Sequence, residues 1–223
     1  MIIAISQRRN HYNGGTDALE ASYVKYFSRF GATLVPIPNN VNLVANYFKN
    51  LDIKGIILSG GGDIDPSLYR NPMIDGNYSK EREETESVLL RIGMELDLPI
   101  LGICRGMEFI NVSFGGKLTA KISNGTNHDN IRHKVILWNN EVIEVNSYHR
   151  LGINNKELSS KLKSFATATD KSIEGIYHPS KAIAGIIWHP EREKLDLEFN
   201  KSLIKAFLSR DMFWKKGMDT KNE

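Results

Sequence analysis

Short runs of apolar residues alternate with segments of helical period through the first half of the chain. The strongest runs lie at residues 2–5, 33–37, 54–58 and 99–103, and they are continuously rather than alternately apolar apart from Thr33 and Lys54. Strands of this kind are covered on both faces, and a β-α-β-α order is typical of a parallel sheet flanked by helices. The sequence therefore predicts an α/β fold with a mostly parallel central sheet and helices on both faces.

The segments between these strands predict helices. Asp17 and Glu20 match a capping box, and the apolar residues that follow recur on one helical face as far as Phe30, with Gly31 as the closing residue. A charged amphipathic helix is predicted at residues 79–95, with Leu96 among its inward residues. Further helices are predicted at residues 43–48 and 106–114.

The second half of the chain has a different pattern. Four turn-forming residues, Trp138-Asn139-Asn140-Glu141, separate two apolar runs and predict a hairpin. We therefore expect a small antiparallel addition to the sheet. The hairpin strands are predicted at residues 134–137 and 142–145, and further strands at 165–169, 173–177 and 183–188, before a closing helix at 197–208. Because no repeat or linker is evident, we expect one domain over residues 1–212 and a polar tail over 213–223.

Composition excludes several classes of protein. Apolar residues make up 41% of the 223 residues and charged residues 25%, as in ordinary globular proteins. The 29 basic and 26 acidic residues are interleaved, and a net charge of +3 is too small to indicate a nucleic-acid partner. No apolar run approaches the ~20 residues that a bilayer requires. The single cysteine, Cys104, allows no intrachain disulfide and favours a reducing, cytoplasmic location.

The strongest local signal is the run Gly102-Ile103-Cys104-Arg105-Gly106, which follows an apolar strand and precedes a helix. A nucleophile flanked by glycines in this context is typical of a sharp nucleophile elbow. The helix N-terminus would favour the thiolate form of Cys104. The alternative is a buried cysteine in an ordinary strand-to-helix turn.

A histidine and a carboxylate suited to assist Cys104 follow a later strand. His189 comes directly after the apolar run 183–188, and the carboxyl end of a strand is where an α/β sheet places its chemistry. A histidine there can take the thiol proton and return a proton to a leaving amine. Glu191 can hydrogen-bond the far ring nitrogen and fix the tautomer.

A third element is the glycine run that begins after Ser59. Three glycines after an apolar strand allow backbone N–H groups to approach a ligand closely. This loop would supply one oxyanion donor, and the N–H group of Arg105 the other. A flexible turn is the alternative. A phosphate-binding loop is excluded, because no Lys-Ser/Thr pair follows the glycines.

Together these motifs resemble the class I glutamine amidotransferase-like superfamily. The similarity is closest to its stand-alone γ-glutamyl hydrolase branch, typified by γ-glutamyl-γ-aminobutyrate hydrolase. The motifs occur in the family's order and span residues 1 to about 208. They are Ser59-Gly60-Gly61-Gly62-Asp63-Ile64-Asp65-Pro66, Arg82-Glu83-Glu84-Thr85-Glu86, Pro99-Ile100-Leu101-Gly102-Ile103-Cys104-Arg105-Gly106-Met107, Asn146-Ser147-Tyr148-His149 and Trp188-His189-Pro190-Glu191.

The resemblance implies a role for each matched position. It implies a catalytic triad of Cys104, His189 and Glu191. It also implies an oxyanion loop at Gly61 and Gly62, acting with the N–H group of Arg105. The segment Ser147-Tyr148-His149 would lie beside the amino-acid end of the substrate.

One position departs from the amidotransferase pattern. Those enzymes carry a glutamine that contacts bound glutamine where this chain has Glu108. An ionised carboxylate cannot donate a hydrogen bond to the substrate carboxylate, although it can pair with the α-ammonium group. Glu108 therefore favours hydrolysis of a γ-glutamyl compound over supply of ammonia to a synthase. An exposed helical glutamate without a role is the alternative.

No metal and no cofactor is expected from the sequence. The chain has no Cys/His cluster with zinc spacing. His128 and His133 flank Asp129 and Arg132, and we predict them to be loop or substrate-pocket residues rather than metal ligands.

Three functions remain open at this stage. The first is a hydrolase that releases glutamate from a small γ-glutamyl amide through a γ-glutamyl thioester. The second is a glutaminase subunit that passes ammonia to a partner synthase. A non-catalytic binding module is disfavoured, because nucleophile, base and orienting carboxylate are all present. The leaving group stays open between an amino acid, a polyamine derivative and a nucleotide phosphoramidate. Phe213 and Trp214 are compatible with a homodimer contact.

Overall fold

The computed structural model describes residues 1–11, 15–69, 76–120, 128–192 and 198–211. The predicted tail, with Phe213 and Trp214, lies outside the described residues. Within these ranges the order of elements is β1 (Ile2–Ser6), β2 (Arg8–Asn10), β3 (Thr16–Ala18), α1 (Ala21–Ser28), β4 (Thr33–Ile37), α2 (Val44–Asn50), β5 (Ile53–Leu58), α3 (Lys80–Glu95), β6 (Ile100–Ile103), α4 (Arg105–Ser113), β7 (Asp129–Leu137), β8 (Val142–Tyr148), β9 (Lys163–Ala168), β10 (Ile173–Tyr177), β11 (Ile183–Ile186) and α5 (Glu198–Ser209).

Nine of these strands form one mixed sheet in the order β4-β1-β5-β6-β11-β10-β9-β7-β8. The first five are parallel to one another. The last four continue the sheet through antiparallel pairs. The predicted α/β class, with a parallel core and an antiparallel second half, is therefore confirmed.

Helices cover both faces of the parallel half. Ile3 and Ile5 of β1 belong to one cluster of buried apolar residues, together with Phe27 of α1 and Phe207 of α5. Ala4 of β1 belongs to the second cluster, with buried residues of α2, α3 and α4. Because successive strand residues point to opposite faces, the two clusters lie on opposite sides of the sheet.

Two local predictions are wrong. Helix α1 begins at Ala21, and its N-cap residue, Glu20, makes no side-chain capping bond. Asp17 lies instead in β3, where its carboxylate accepts hydrogen bonds from the backbone and side-chain nitrogens of Asn39, both at 2.8 Å. Leu96 follows the last residue of α3 and is 56% exposed, so it does not face the core.

The register of three parallel strands brings distant parts of the chain to one edge of the sheet. Gly102 of β6 pairs with Leu58 of β5 on one side and with Gly185 of β11 on the other. These strands therefore end at the same level. The glycine run after β5, Cys104 after β6 and the segment after β11 all emerge at this edge, where ligands of α/β proteins bind.

Cys104 occupies the predicted nucleophile elbow. Its φ of 52° and ψ of −113° lie outside the ordinary regions, and it is the N-cap residue of α4. The two flanking glycines make this turn possible. A Cβ on Gly106 would lie 2.0 Å from the carbonyl oxygen of Leu58, and one on Gly102 would lie 2.6 Å from the backbone of Gly106.

The elbow predicts the effect of substituting Gly106. Alanine is favoured over glycine in a helix by about 1 kcal/mol, yet Gly106→Ala should lower the free energy of unfolding by about 3 kcal/mol or more, because its Cβ meets fixed backbone. Urea denaturation measures the change. The control is Gly31→Ala, where no atom lies within 4 Å of the new Cβ and only the positive φ costs about 1–2 kcal/mol. Equal losses in both variants would contradict this packing.

Candidate active site

A cavity of about 260 Å3 opens at the carboxyl edge of the parallel strands. Most of the predicted site residues line it, although they come from segments as far apart as residues 61 and 189. The lining residues are Gly61, Gly62, Asp63, Asn77, Cys104, Arg105, Glu108, Tyr148, His149, Arg150, Leu151, His189 and Arg192.

His189 interacts with both Cys104 and Glu191, and of these three residues Cys104 and His189 line the cavity. The Cys104 side chain hydrogen-bonds the imidazole of His189. The other side of that ring is fixed, because His189 Nδ1 lies 2.6 Å from Glu191 Oε1. His189 and Glu191 are both buried. A sulfur, an imidazole and a carboxylate arranged in this order can generate a thiolate and hold the imidazole in one orientation.

The electrostatics of the three groups favour a charged imidazole. Burial alone lowers the pKa of His189, but the neighbouring Cys104 and Glu191 more than offset this effect and raise it to about 10. His189 is therefore protonated at neutral pH, as an imidazolium between Cys104 and Glu191. A histidine in this state can donate a proton to a departing group.

Two residues of β8 hold His189 in place. Asn146 accepts a hydrogen bond from the His189 backbone N–H at 2.8 Å and donates one to its carbonyl, also at 2.8 Å. The ring of Tyr148 packs edge-on against the imidazole, with 5.7 Å between the centroids. Tyr148 also lies beneath the guanidinium of Arg192, at 5.0 Å.

The glycine loop passes directly over the Cys104–His189 pair. A Cβ on Gly60 would lie 2.7 Å from His189 Cε1, so only glycine fits there. Gly61 and Gly62 have φ values of 83° and 74°, a region that favours glycine. Gly60 donates its N–H to the buried hydroxyl of Tyr23 at 2.9 Å. The loop thus turns its backbone toward the cavity that Gly61 and Gly62 line.

A buried charge network beneath the glycine loop fixes its carbonyl groups. Arg82 of α3 donates to the carbonyl of Gly61 at 2.5 Å and to that of Ser59 at 2.6 Å. Glu86 accepts from Arg82 Nε at 2.9 Å and also pairs with Arg105. Arg105 Nε in turn donates to the carbonyl of Asp63 at 2.9 Å. The network therefore links both ends of the loop to the elbow.

Glu108 lies on the cavity wall and is only 5% exposed, so the interpretation as an exposed helical glutamate is wrong. Burial raises the pKa of Glu108 to about 8, with nearby Asp63 adding to the effect and Arg105 opposing it. At neutral pH the side chain is therefore a carboxylic acid rather than a carboxylate. Like the amide of a glutamine, it can donate a hydrogen bond.

The three residues expected beside the substrate have different surroundings. Tyr148 and His149 line the cavity, but Ser147 does not. The Ser147 hydroxyl is buried and donates to the carbonyl of His128. His149 Nδ1 faces the carbonyl of Leu151 at 2.7 Å, so one of its ring nitrogens is already engaged.

Of the two histidines predicted to be loop or substrate-pocket residues, His133 lies in a strand, β7, instead, whereas His128 lies just outside it. The His128 side chain is fully buried, and its ring packs edge-on against those of His133 and His149. Neither His128 nor His133 lines the cavity described above.

Sequence reasoning assigned no role to Arg82, Glu86 or Asn146. All three stand within motifs that carry the family resemblance, but only the structure shows what they contact. The sequence does contain one sign of this network. Arg82 and Glu86 are four residues apart, a spacing that places an ion pair on one face of a helix. Both residues lie on the buried side of α3, where an unpaired charge would be costly.

Comparisons with known proteins show the family to which the chain belongs. The peptidase C26 family model matches residues 2–191. The chain is 33% identical over 197 residues to a gamma-glutamyl-CDP-amidate hydrolase of Campylobacter jejuni, covering 86% of this chain and 91% of that protein. It is 29% identical over 206 residues to the putative glutamine amidotransferase-like protein YvdE of Lactococcus lactis, covering 83% and 86% of the two chains.

A solved structure has the same fold. A putative GMP synthase protein of Thermoplasma acidophilum matches with a TM-score of 0.67 and 18% identity, over 97% of this chain and 96% of that one. In the part of the chain that the structure describes, no helix is both long and apolar enough to cross a bilayer.

The charge network beneath the loop predicts the effect of Glu86→Gln. Removing one partner of a buried ionic network costs about 3–5 kcal/mol, because the remaining charges lose their compensation. We expect a loss of this size in urea denaturation. The control is Arg91→Gln, which breaks an i,i+4 pair on the same helix whose side chains are 58% exposed and should cost less than about 1 kcal/mol. A small loss in both variants would contradict the role of the network.

Proposed function

Because the chain belongs to the peptidase C26 family, we propose that it is a cysteine-dependent hydrolase that cleaves the γ-glutamyl amide bond of a small metabolite. The observation that carries this proposal is the interaction of His189 with both Cys104 and Glu191 at the cavity that Cys104 and His189 line. The similarity to a gamma-glutamyl-CDP-amidate hydrolase supports hydrolysis of a C–N bond.

The first step is attack of the Cys104 thiolate on the γ-carbonyl carbon. Negative charge then develops on the carbonyl oxygen, and we assign its stabilisation to the N–H groups of Gly61, Gly62 and Arg105. Each such donor is typically worth about 2.7–4 kcal/mol in the transition state. The Arg82 network contributes by holding the loop carbonyls, which fixes the direction of the N–H groups before substrate arrives.

The second step breaks the C–N bond. The imidazolium of His189 donates its proton to the leaving nitrogen, and a γ-glutamyl thioester on Cys104 remains. The neutral imidazole then takes a proton from water, whose oxygen attacks the thioester carbonyl. Glutamate leaves, and the thiolate–imidazolium pair is restored. Glu191 keeps the far side of the ring engaged through both steps.

Recognition of the glutamyl end is assigned to Glu108 and Tyr148, which line the same cavity, while His149 forms part of the cavity wall. In its neutral form, Glu108 can donate a hydrogen bond to the substrate α-carboxylate. Asp63 also lines the cavity and supplies a carboxylate for the α-ammonium group. Ser147 acts indirectly in this scheme, since its hydroxyl is bound to the carbonyl of His128.

The leaving group that we favour is a nucleotide phosphoramidate. The activity for which the Campylobacter relative is named supports this choice. Arg150 and Arg192 line the cavity and suit an anionic leaving group, and Arg150, 70% exposed, also pairs with Asp63 at 3.4 Å. The alternative leaving groups are an amino acid and a polyamine derivative, and a substrate panel distinguishes them from the phosphoramidate.

A glutaminase that serves a separate synthase is the second candidate. It is favoured by the raised pKa of Glu108, because a neutral carboxylic acid can replace the glutamine that amidotransferases carry at this position. A further relative also supports it, a glutamine-hydrolysing GMP synthase of Francisella tularensis with 25% identity, although the match covers 75% of this chain and only 29% of that protein. Under this alternative the protein would pass ammonia to its partner.

The proposal is tested by glutamate release from a panel of γ-glutamyl compounds. The panel contains γ-glutamyl-CDP-amidate, γ-glutamyl-γ-aminobutyrate, a γ-glutamyl dipeptide and glutamine. We expect the isolated protein to hydrolyse a substituted amide faster than glutamine, and Cys104→Ala to lose at least about 10⁴-fold in kcat, as when a catalytic nucleophile is removed. Full activity of Cys104→Ala would exclude the mechanism. Preference for glutamine, with activation by a synthase, would favour the second candidate.

The protonation of Glu108 predicts a pH dependence of KM. The donor is present below the raised pKa of about 8 and is lost as the pH rises through it. If only the neutral form binds, KM should rise about tenfold for each pH unit above 8. The matched variant, Glu108→Gln, donates at every pH and should keep KM constant over the same range. Parallel profiles for the two proteins would show that Glu108 binds as a carboxylate or not at all.

A further inference from the structure

A second cluster of chemically active side chains lies beside the cavity but outside the proposed catalytic machinery. His128, His149 and Glu174 are all buried, and one ligand atom from each lies within 4.8 Å of the other two. They come from three separate segments, namely the residue before β7, the residue after β8 and the second residue of β10. Nothing in the proposed hydrolysis uses Glu174 or His128.

The outer hydrogen bonds of the two histidines determine which ring nitrogens face each other. His149 Nδ1 lies 2.7 Å from the carbonyl oxygen of Leu151, which can only accept, so this nitrogen carries the hydrogen. His128 Nε2 lies 2.9 Å from Asp170 Oδ2, and a carboxylate oxygen is also an acceptor. In the neutral rings, His128 Nδ1 and His149 Nε2 therefore both present lone pairs.

A third acceptor atom, Glu174 Oε1, lies near these two nitrogen lone pairs. His128 Nδ1 lies 3.3 Å from His149 Nε2, and Glu174 Oε1 lies 3.7 Å from the first and 4.0 Å from the second. Two neutral rings cannot hydrogen-bond through two lone pairs, so either a metal ion or a proton must lie between these nitrogens. Glu174 Oε1 also accepts from the Ser172 hydroxyl at 2.9 Å, and Glu174 Oε2 lies 3.1 Å from His133 Nε2, so it forms an ion pair when that ring is protonated.

The spacing of the three atoms fits a metal ion. The point equidistant from the corners of this triangle lies about 2.1 Å from each, which is the length of Zn–N and Zn–O bonds. Two imidazoles and a carboxylate are ligands that zinc accepts. The outer contacts also match zinc proteins, in which a ligating histidine donates its second N–H to a carboxylate or a backbone carbonyl.

We propose that His128, His149 and Glu174 bind one zinc ion, with Asp170 and the Leu151 carbonyl orienting the two imidazoles. The ion would join the segments around β7, β8 and β10. It would thereby fix the wall of the catalytic cavity that His149 and Leu151 form. The role is structural, and no step of the hydrolysis is assigned to the ion.

The first experiment measures metal in the full chain purified without a histidine tag. After zinc loading and gel filtration, we expect about one zinc ion per chain by elemental analysis. Removal of zinc with a chelator should lower the thermal midpoint, and re-addition should restore it. A chain that retains no zinc and shows no calorimetric signal on zinc titration would overturn the proposal, since a shared proton would then supply the positive charge.

Zinc binding by substituted proteins shows which residues hold the ion. Glu174→Gln and His128→Gln should lose stoichiometric zinc, whereas Asp170→Asn should weaken the affinity about 10–100-fold as an outer partner. His11→Gln, at an exposed histidine outside the cluster, should bind zinc like the unchanged protein. Cys104→Ala is the decisive control, because Cys104 and His189 form the rival metal site. Loss of zinc in Cys104→Ala together with retention in Glu174→Gln would place the ion at Cys104 and overturn the proposal.

A spectroscopic measurement on the unchanged protein covers the case in which the ligand variants fail to fold. Cobalt in place of zinc should give visible d–d absorption without a near-ultraviolet thiolate-to-metal band, because the proposed ligands are nitrogen and oxygen. A thiolate band would assign the metal to Cys104 instead. Neither measurement depends on catalytic activity, so the zinc site and the proposed hydrolase function can fail independently.

Discussion

The parallel register of β5, β6 and β11 is the constraint from which the rest of the site follows. Gly102 pairs with Leu58 and Gly185 at the same level, so the three segments that follow these strands must leave the sheet side by side. Hydrogen bonds between the strands determine which residues pair, so the relative position of the strand ends is set to within one residue. A shift by one residue would reverse the faces of β6 and move Cys104 away from the glycine loop. The contact of sulfur, imidazole and glycine loop is thus a consequence of backbone pairing.

Burying the charged side chains next to this edge costs desolvation free energy, and their contacts with the glycine loop explain why they are nevertheless present. Arg82, Glu86 and Arg105 are nearly inaccessible to water, and apolar residues of similar volume are often at least as stabilising as a buried ion pair. Apolar residues could not, however, bind the carbonyls of Ser59, Gly61 and Asp63. A glycine loop has little conformational preference of its own. A rigid ionic support compensates for that freedom while leaving the loop N–H groups available.

The parts of the structure that were predictable from sequence are those encoded in contiguous residues. The elbow at Cys104 needs two flanking glycines and a preceding strand, and all are visible within a few residues. Asp17 shows where such reasoning fails. Its spacing to Glu20 fits a capping box, but the partner that decides its position is Asn39, 22 residues away. The pairing of β2 with β3 overrides the local preference.

Properties that depend on burial also could not be predicted from the sequence. The raised pKa of Glu108 is an example, because it results from burial in the cavity wall and from Asp63, which belongs to another segment.

The alternation of side chains along β8 links the two clusters physically. Asn146 and Tyr148 contact His189, whereas Ser147, between them, donates to the carbonyl of His128. Successive strand residues point to opposite faces, so one short segment supports the proposed catalytic histidine on one side and the histidine cluster on the other. His149 follows directly, and its backbone N–H donates to the His128 carbonyl at 3.3 Å. Any force that holds His128 and His149 together therefore also limits the movement of Asn146 and Tyr148, and through them the position of the imidazole beside Cys104.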